Sequence, residues 1–470
     1  MARGISRRAA LIAGAGGVAV VGAGAGIVAV ATGDKPEPSS PAATDAEGHT
    51  LWRNWSGIQH AYPARRAAPA NEAALADVIK AGPAPVRVVG AGHSFTALAV
   101  TSGTLVSLDV MSGITRWEGD EAVVKAGTRL GALGPALAAH GRAMANLPDI
   151  NKQSLGGALG TGTHGTGAKL RAIHGDVTAL TLCTAKGELI HCDAKTRPEV
   201  FNAARVSLGA LGVITEARLK TIPNKRVHRR VWIEPFAEAL SKAEARWAQH
   251  RNFEFYAVPF TDLAACISHD ETDEPARARE PDSDTAFLDA LRGLRNLLGW
   301  SVSLRKAAAK GLLGGEKPQE AIDDGWKLLS TERPVRFNEM EFHLPPENQL
   351  VALKEVVETI EKHRPDVFFP IEVRRIAPDD AWLSPFEGGP RGSIAVHCYY
   401  KDDYDFLFTM IQPIFLRHGG RPHWGKLHSL RGDQLAALYP RWNDWLAVRK
   451  ELDPEGRFLN LYLLGMLGLD

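Results

Sequence analysis

The sequence predicts an α+β protein of two domains, and three observations predict it. At 470 residues the chain is longer than one hydrophobic core usually serves. From Trp52 to about Pro223, short β-rich runs alternate with helical patterns. From Asn224 to about Arg417 the mixture changes to strands with well-separated amphipathic helices, which suits a second sheet carrying helices.

In the first domain the predicted strands are Arg87–Val89, Leu105–Leu108, Ala122–Ala126, Val177–Cys183 and Val213–Lys220, all rich in β-branched or apolar residues. Asn71–Ala81 and Leu130–His140 repeat apolar residues at helical spacing. In the second domain, strands are predicted near Arg229–Trp232, Asn338–Leu344 and Ile394–Tyr400, and helices at Ala237–His250, Ala286–Leu298 and Glu347–His363. The polar stretch His269–Asp284 predicts a mobile surface loop.

Residues 1–33 stand apart. Ser6-Arg7-Arg8 precedes a Gly/Ala/Val-rich apolar run, and a Pro/Ser/Ala linker fills 34–50. The twin arginines and weakly apolar core predict export by a twin-arginine (Tat) signal to the periplasm or the outer face of the membrane. Ala29-Val-Ala31 offers a small-x-small cleavage site, while the run is also long enough to remain as a membrane anchor. Val20-Val-Gly-Ala-Gly-Ala-Gly26 mimics half a dinucleotide fingerprint, but the segment is one unbroken apolar run and no acidic residue lies some twenty positions on at the end of a second strand.

Charge and cysteine content exclude several classes. The 55 Lys and Arg nearly balance the 54 Asp and Glu, which gives no basic footprint for nucleic acid. Cys183, Cys192, Cys266 and Cys398 lack metal-ligand spacing, so no metal is expected. Cys183 and Cys192 flank a turn at Lys186-Gly187, and only one of several hairpin registers would pair them.

Two glycine-rich segments carry the chemistry. Val86-Arg-Val-Val-Gly-Ala-Gly-His-Ser94 is a β-branched run ending in a tight turn, where successive N–H groups can form an anion-binding nest. Gln153-Ser-Leu-Gly-Gly-Ala-Leu-Gly-Thr-Gly-Thr-His-Gly-Thr-Gly167 can lie almost flat against a ligand. Together they point to a large phosphate-bearing cofactor.

This pair of loops resembles the FAD-binding domain of the vanillyl-alcohol oxidase superfamily, and Ser207-Leu-Gly-Ala-Leu-Gly-Val-Ile-Thr215 is similar to that domain's closing strand. Glu372-Val-Arg374, Trp382-Leu-Ser-Pro-Phe386, Gly419-Gly-Arg-Pro-His-Trp-Gly-Lys426 and Leu452-Asp-Pro-Glu-Gly-Arg-Phe-Leu-Asn-Leu-Tyr462 narrow the resemblance to the sugar-1,4-lactone oxidases, with alditol oxidases sharing several motifs. The resemblance implies a two-subdomain FAD-binding (PCMH-type) domain over 51–223, a sheet-and-helix substrate or cap domain over 224–417, and a segment 418–470 returning to the FAD domain. It assigns FAD to Val89, Gly90, Ala91, Gly92, His93, Ser94, Ser154, Gly157, Gly160, Thr161, Thr163, His164, Gly165, Gly167, Ile214, His423 and Lys426, with His93 bonded covalently to the flavin. His164 is expected to shape the cofactor pocket.

The implied reaction removes a hydride from a carbinol to flavin N5 and takes the hydroxyl proton. Glu372 and Arg374, two apart on a strand, share one face. Arg374 and Lys426 would stabilise negative charge, Glu372 would orient the hydroxyl, and either Glu372 or His397 would accept its proton. Ser154 would touch both flavin and a substrate hydroxyl. Pro148 falls where relatives control oxygen access, leaving oxygen and another redox carrier both open as acceptor. The expected substrate is an aldono-1,4-lactone oxidised at C2 to an ascorbate-type product; the rivals are an alditol oxidase and a non-catalytic exported flavin- or carbohydrate-binding protein.

Overall fold

The computed structural model describes residues 35–279, 284–313, 317–331 and 335–469; the expected export segment and the fingerprint mimic, within 1–33, lie outside the described residues. Three strands, β1 (Arg65–Ala67), β2 (Val86–Val89) and β3 (Thr104–Ser107), form a parallel sheet in the order β1-β3-β2. Helix α1 (Glu72–Ala81) connects the first two, capped by the Asn71 side chain accepting from the Ala74 N–H at 2.9 Å. Its buried Leu75, Ala76, Val78 and Ile79 are the apolar stripe that the spacing predicts.

A second sheet takes β4 (Ile114–Glu118), β5 (Glu121–Lys125), β6 (Val177–Cys183), β7 (Leu189–Asp193) and β8 (Val213–Lys220), all antiparallel, in the order β7-β6-β8-β5-β4. The β6–β7 register sets Cys183 opposite Leu189 and Cys192 opposite Leu180, so the two cysteines do not face each other. All four cysteines are free and buried. The short helices α2 (Leu130–Ala138) and α3 (Leu155–Gly160) stand on either side of the turn into the second glycine-rich loop.

The cap is one eight-stranded sheet, antiparallel throughout. Its strands are β9 (Arg226–Pro235), β10 (Asn252–Val258), β11 (Leu263–Thr272), β12 (Gln319–Asp324), β13 (Phe337–Leu344), β14 (Ile371–Ile376), β15 (Arg391–Tyr399) and β16 (Arg421–Pro422), ordered β12-β9-β11-β10-β14-β15-β13-β16. Helix α4 (Phe236–Gln249) packs Ala239, Ala243 and Trp247 onto the sheet. Helix α7 (Pro346–His363) ties down through Gln349, whose amide donates to the Arg374 and Ser393 carbonyls at 2.7 and 3.0 Å. Between them in the chain, α5 (Asp284–Leu298) and α6 (Val302–Leu313) form a helical pair.

The loop expected from His269 needs correcting at its start. β11 runs through Thr272, with His269 registered between Arg229 of β9 and Asn252 of β10. Pairing on both sides overrides local polarity, and His269 is buried.

The C-terminal segment serves both parts of the molecule. β16 first adds an edge to the cap sheet; the chain then packs against the first domain, where the Asn460 amide donates to the Ala97 and Val100 carbonyls at 2.8 and 2.7 Å. Arg87, buried in β2, clamps three segments by donating to the carbonyls of Leu98, Leu208, Gly209 and Phe458. Burial lowers its pKa to about 10, so it remains charged at neutral pH. Among the described residues, no helix is long and apolar enough to cross a membrane.

Candidate active site

A cavity of about 800 Å³ separates the two glycine-rich loops from one face of the cap sheet. That volume suits a large small-molecule ligand. Val89, Gly90, Ala91, Gly92, His93 and Ser94 line one wall; Ser154, Gly157, Gly160, Thr161, Thr163 and His164 line the next, joined by Ile214 and His423.

The loops fit a phosphate-bearing cofactor. Gly90 approaches the second loop so closely that a Cβ there would lie 2.1 Å from Ser154 Oγ. Gly92, at φ +67°, completes the turn in a conformation that disfavours other residues. Among the described residues, the backbone N–H groups of Ala91, Gly92, His93 and Ser94 find no acceptor, as an anion-binding nest requires. Gly165 and Gly167, also expected at the cofactor, stand behind the cavity wall. A Cβ on Gly165 would meet the Leu147 carbonyl at 2.1 Å, and the Gly167 N–H donates to the Arg375 carbonyl at 2.7 Å, so both fasten the loop to its surroundings.

His93 stacks on Trp55 with ring centroids 5.1 Å apart. Burial, then the positive charges of Lys426, Arg129 and Lys152, lower its pKa to about 4. The ring is therefore neutral, with a lone pair available as a nucleophile at ordinary pH.

Opposite the loops, alternate residues of β13, β14 and β15 present charge on a buried sheet face. Glu372 and Arg374 share that face, with Arg374 Nη2 3.3 Å from Glu372 Oε2 and 2.6 Å from Glu341 Oε1. His164 Nε2 lies 3.1 Å from the same Glu341 oxygen, and Ser393 donates to it. Burial opposes the ionisation of Glu341, yet Arg374 and His164 hold its carboxyl well below the usual carboxylate range. Arg374 in turn is held firmly charged by Glu341 and Glu372 against the cost of burial.

Glu372 behaves in the opposite way. Burial pushes its carboxyl well above the usual range; Asp149 and Glu254 add to the rise and Arg374 opposes it. The geometry agrees. Tyr256 Oη lies 2.8 Å from Glu372 Oε1 and 3.0 Å from Asp149 Oδ2, and one phenol proton cannot serve two ionised carboxylates. A proton on one of the two acids would make both contacts full hydrogen bonds.

His397 faces the cavity from β15. Its Nδ1–H donates to the Pro370 carbonyl at 3.1 Å, and its Nε2 lies 3.8 Å from Glu339 Oε1. The other oxygen of Glu339 pairs with Lys426, whose ammonium also lies 5.1 Å from the Phe95 ring centroid. Pro148 lines the cavity too, its carbonyl fixed by the Ser330 hydroxyl at 2.6 Å.

Sequence reasoning misses Asp149, Glu254, Tyr256, Glu339 and Glu341. Alternate glutamates at 339 and 341 in a predicted strand are the one signal that could have revealed two of them.

The sequence pattern of the D-arabinono-1,4-lactone oxidase family matches residues 217–465, and that of an FAD-binding domain matches 63–193. The chain is 35% identical over 431 residues to an L-gulono-1,4-lactone dehydrogenase of Mycobacterium tuberculosis, covering 89% of this chain and 99% of the relative. It is 31% identical over 401 residues to the L-gulonolactone oxidase of Bos taurus, covering 80% and 88%. An alditol oxidase of a Streptomyces species is 27% identical over 89% of this chain and 99% of its own. The crystal structure of cholesterol oxidase from B. sterolicum superposes with a TM-score of 0.72 over 92% of this chain and 100% of that one, and its 18% identity makes it a likeness of fold.

Proposed function

The chain belongs to the D-arabinono-1,4-lactone oxidase family of FAD-dependent oxidoreductases, and from that premise we propose that it oxidises the C2 hydroxyl of an aldono-1,4-lactone to an ascorbate-type product. The observation that carries the reading is the cluster of Glu372, Arg374, His397 and Lys426 on one cavity wall, facing the loops that fit FAD. FAD, held by the Gly90–Ser94 turn and the Ser154–His164 loop, supplies the hydride acceptor when bound.

In this reading His397 Nε2 takes the hydroxyl proton. Its Nδ1–H bond to Pro370 fixes the tautomer, and Glu339 stands close enough to stabilise the imidazolium that forms. Glu372, its carboxyl pushed well above the usual range by burial and by Asp149, orients the substrate hydroxyl. Arg374 and Lys426 supply fixed positive charge where negative charge develops. Ser154, at the base of the second loop, binds a substrate hydroxyl.

We also assign to His93 a covalent link to the flavin, supported by its neutral ring beside the nest. Ser6-Arg7-Arg8 and the apolar run behind it support export by the twin-arginine route. Steady-state rates with L-gulono-, L-galactono- and D-arabinono-1,4-lactone against xylitol and sorbitol test the substrate class. Turnover confined to the polyols would replace the lactone reading with an alditol oxidase.

A further inference from the structure

The cavity does not end at the catalytic cluster. It continues along the same sheet face across β10 and β11 to β9. Neighbouring strands lie about 4.8 Å apart, so β9 is about 14 Å from the strand of Glu372. That reach exceeds one five-membered lactone ring.

The character of the wall changes along the way. Beyond Tyr256 and Glu254 the floor is Val231 and Ile233 of β9 and Ile267 of β11, with Val231 registered directly opposite Ile267. Leu288 of α5 and Leu312 of α6 supply further apolar surface to the same cavity. Buried His269, donating to the Leu328 carbonyl at 3.3 Å, is held neutral by burial with a pKa of about 3, so its ring adds no charge. Arg229, Glu254 and Gln319, the last registered opposite Val231, border this lobe but each is engaged by neighbours, and Lys317 lines the cavity as well. An aldonolactone is polar on every edge and gains nothing from such a surface, whereas an alkyl or aryl group does.

We propose that this lobe is a subsite for an apolar substituent, and that the preferred substrate is an aldonolactone bearing an alkyl or aryl group remote from its C2 hydroxyl. The proposal rests on the lactone reading for the head group and adds the chemistry of the tail. The subsite orients the substrate by burying the tail over β9 and β11 while the polar head meets Glu372, Arg374 and His397.

The test compares L-gulono-1,4-lactone with its 6-O-butyl ether as substrates, using an artificial electron acceptor. Each methylene buried is worth about fourfold in kcat/KM, so the ether is expected to exceed the parent at least tenfold. Val231→Phe, which fills the lobe, should bring the ratio near one, and Leu312→Trp from the helical side should repeat the effect. Hexan-1-ol gives a readout that needs no turnover: it should raise the Tm of the wild type relative to that of Val231→Phe. Parent turnover with an ether no better than the parent and no differential Tm shift would overturn the subsite and leave the lactone reading standing. Inactivity on both lactones with the Tm shift intact would do the reverse.

Discussion

Replacing Glu372 with glutamine separates two roles that a glutamate in this position can play. Burial, with Asp149 and Glu254 adding to it, pushes its carboxyl well above the usual range, and it touches Tyr256 at 2.8 Å and Arg374 at 3.3 Å. Glutamine keeps the shape, accepts from Arg374 through its oxygen, and donates toward Tyr256 through its nitrogen. The change then costs the difference between two neutral hydrogen-bond donors, about 1 kcal/mol, or roughly fivefold in kcat/KM. Were Glu372 the ionised proton acceptor, the same change would remove a general base and cost about 10²–10⁴-fold. His397→Gln is expected to show that larger loss. The assay is kcat/KM on L-gulono-1,4-lactone across pH. The wild type should lose activity as rising pH ionises Glu372, and Glu372→Gln should lack that limb. A glutamine variant as damaged as His397→Gln would refute the assignment.

The same shift has a stability consequence. Because the folded pKa of Glu372 is raised, the folded state binds a proton that the unfolded state has lost; its stability contribution is complete below the unfolded value of about 4.5 and falls as pH rises through the folded pKa. Glu372→Gln should therefore raise Tm at pH 7 relative to pH 4, and an equal change at both would contradict this. Gly90→Ala would place a methyl group 2.1 Å from Ser154 Oγ, so the purified variant should hold less than half the wild-type flavin per chain by absorbance; full loading would show that the loops need not touch. His93→Ala should release fluorescent flavin from the acid-denatured chain on a gel, whereas the wild type keeps it; free flavin from both would remove the covalent link. Burial raises the Cys183 thiol to about 11 and Cys192 to about 12, and pushes Cys266 and Cys398 up as well. A thiol reagent should find no reactive cysteine in the native protein and four after unfolding.

The FAD fold was legible because its signals are local. Asn71 caps its helix through its own side chain, and the Gly-x-Gly-His-Ser turn needs only its glycines to form. The Glu372-Val-Arg374 spacing placed two side chains on one face for the same reason. The middle of the cap was harder to read. Asn252–Val258 is buried on both faces, so it lacks the alternation that marks a strand, and the polar end of β11 reads as a loop because only its pairing on both sides, invisible in the local sequence, makes it a strand. Asp149 and Tyr256 lie 107 positions apart, and their contact depends on how the cap sits over the second glycine-rich loop. No pattern within either segment encodes it. Glu339 and Glu341 were visible as charges inside an apolar strand, which is where a buried polar residue most often has work to do.

The most direct test of the central claim is addition of L-gulono-1,4-lactone to the flavin-loaded protein without oxygen, following the visible flavin absorbance. The account predicts that the absorbance bleaches and that an ascorbate-type product forms in one equivalent per flavin. An unchanged flavin spectrum across gulono-, galactono- and arabinonolactone would contradict it.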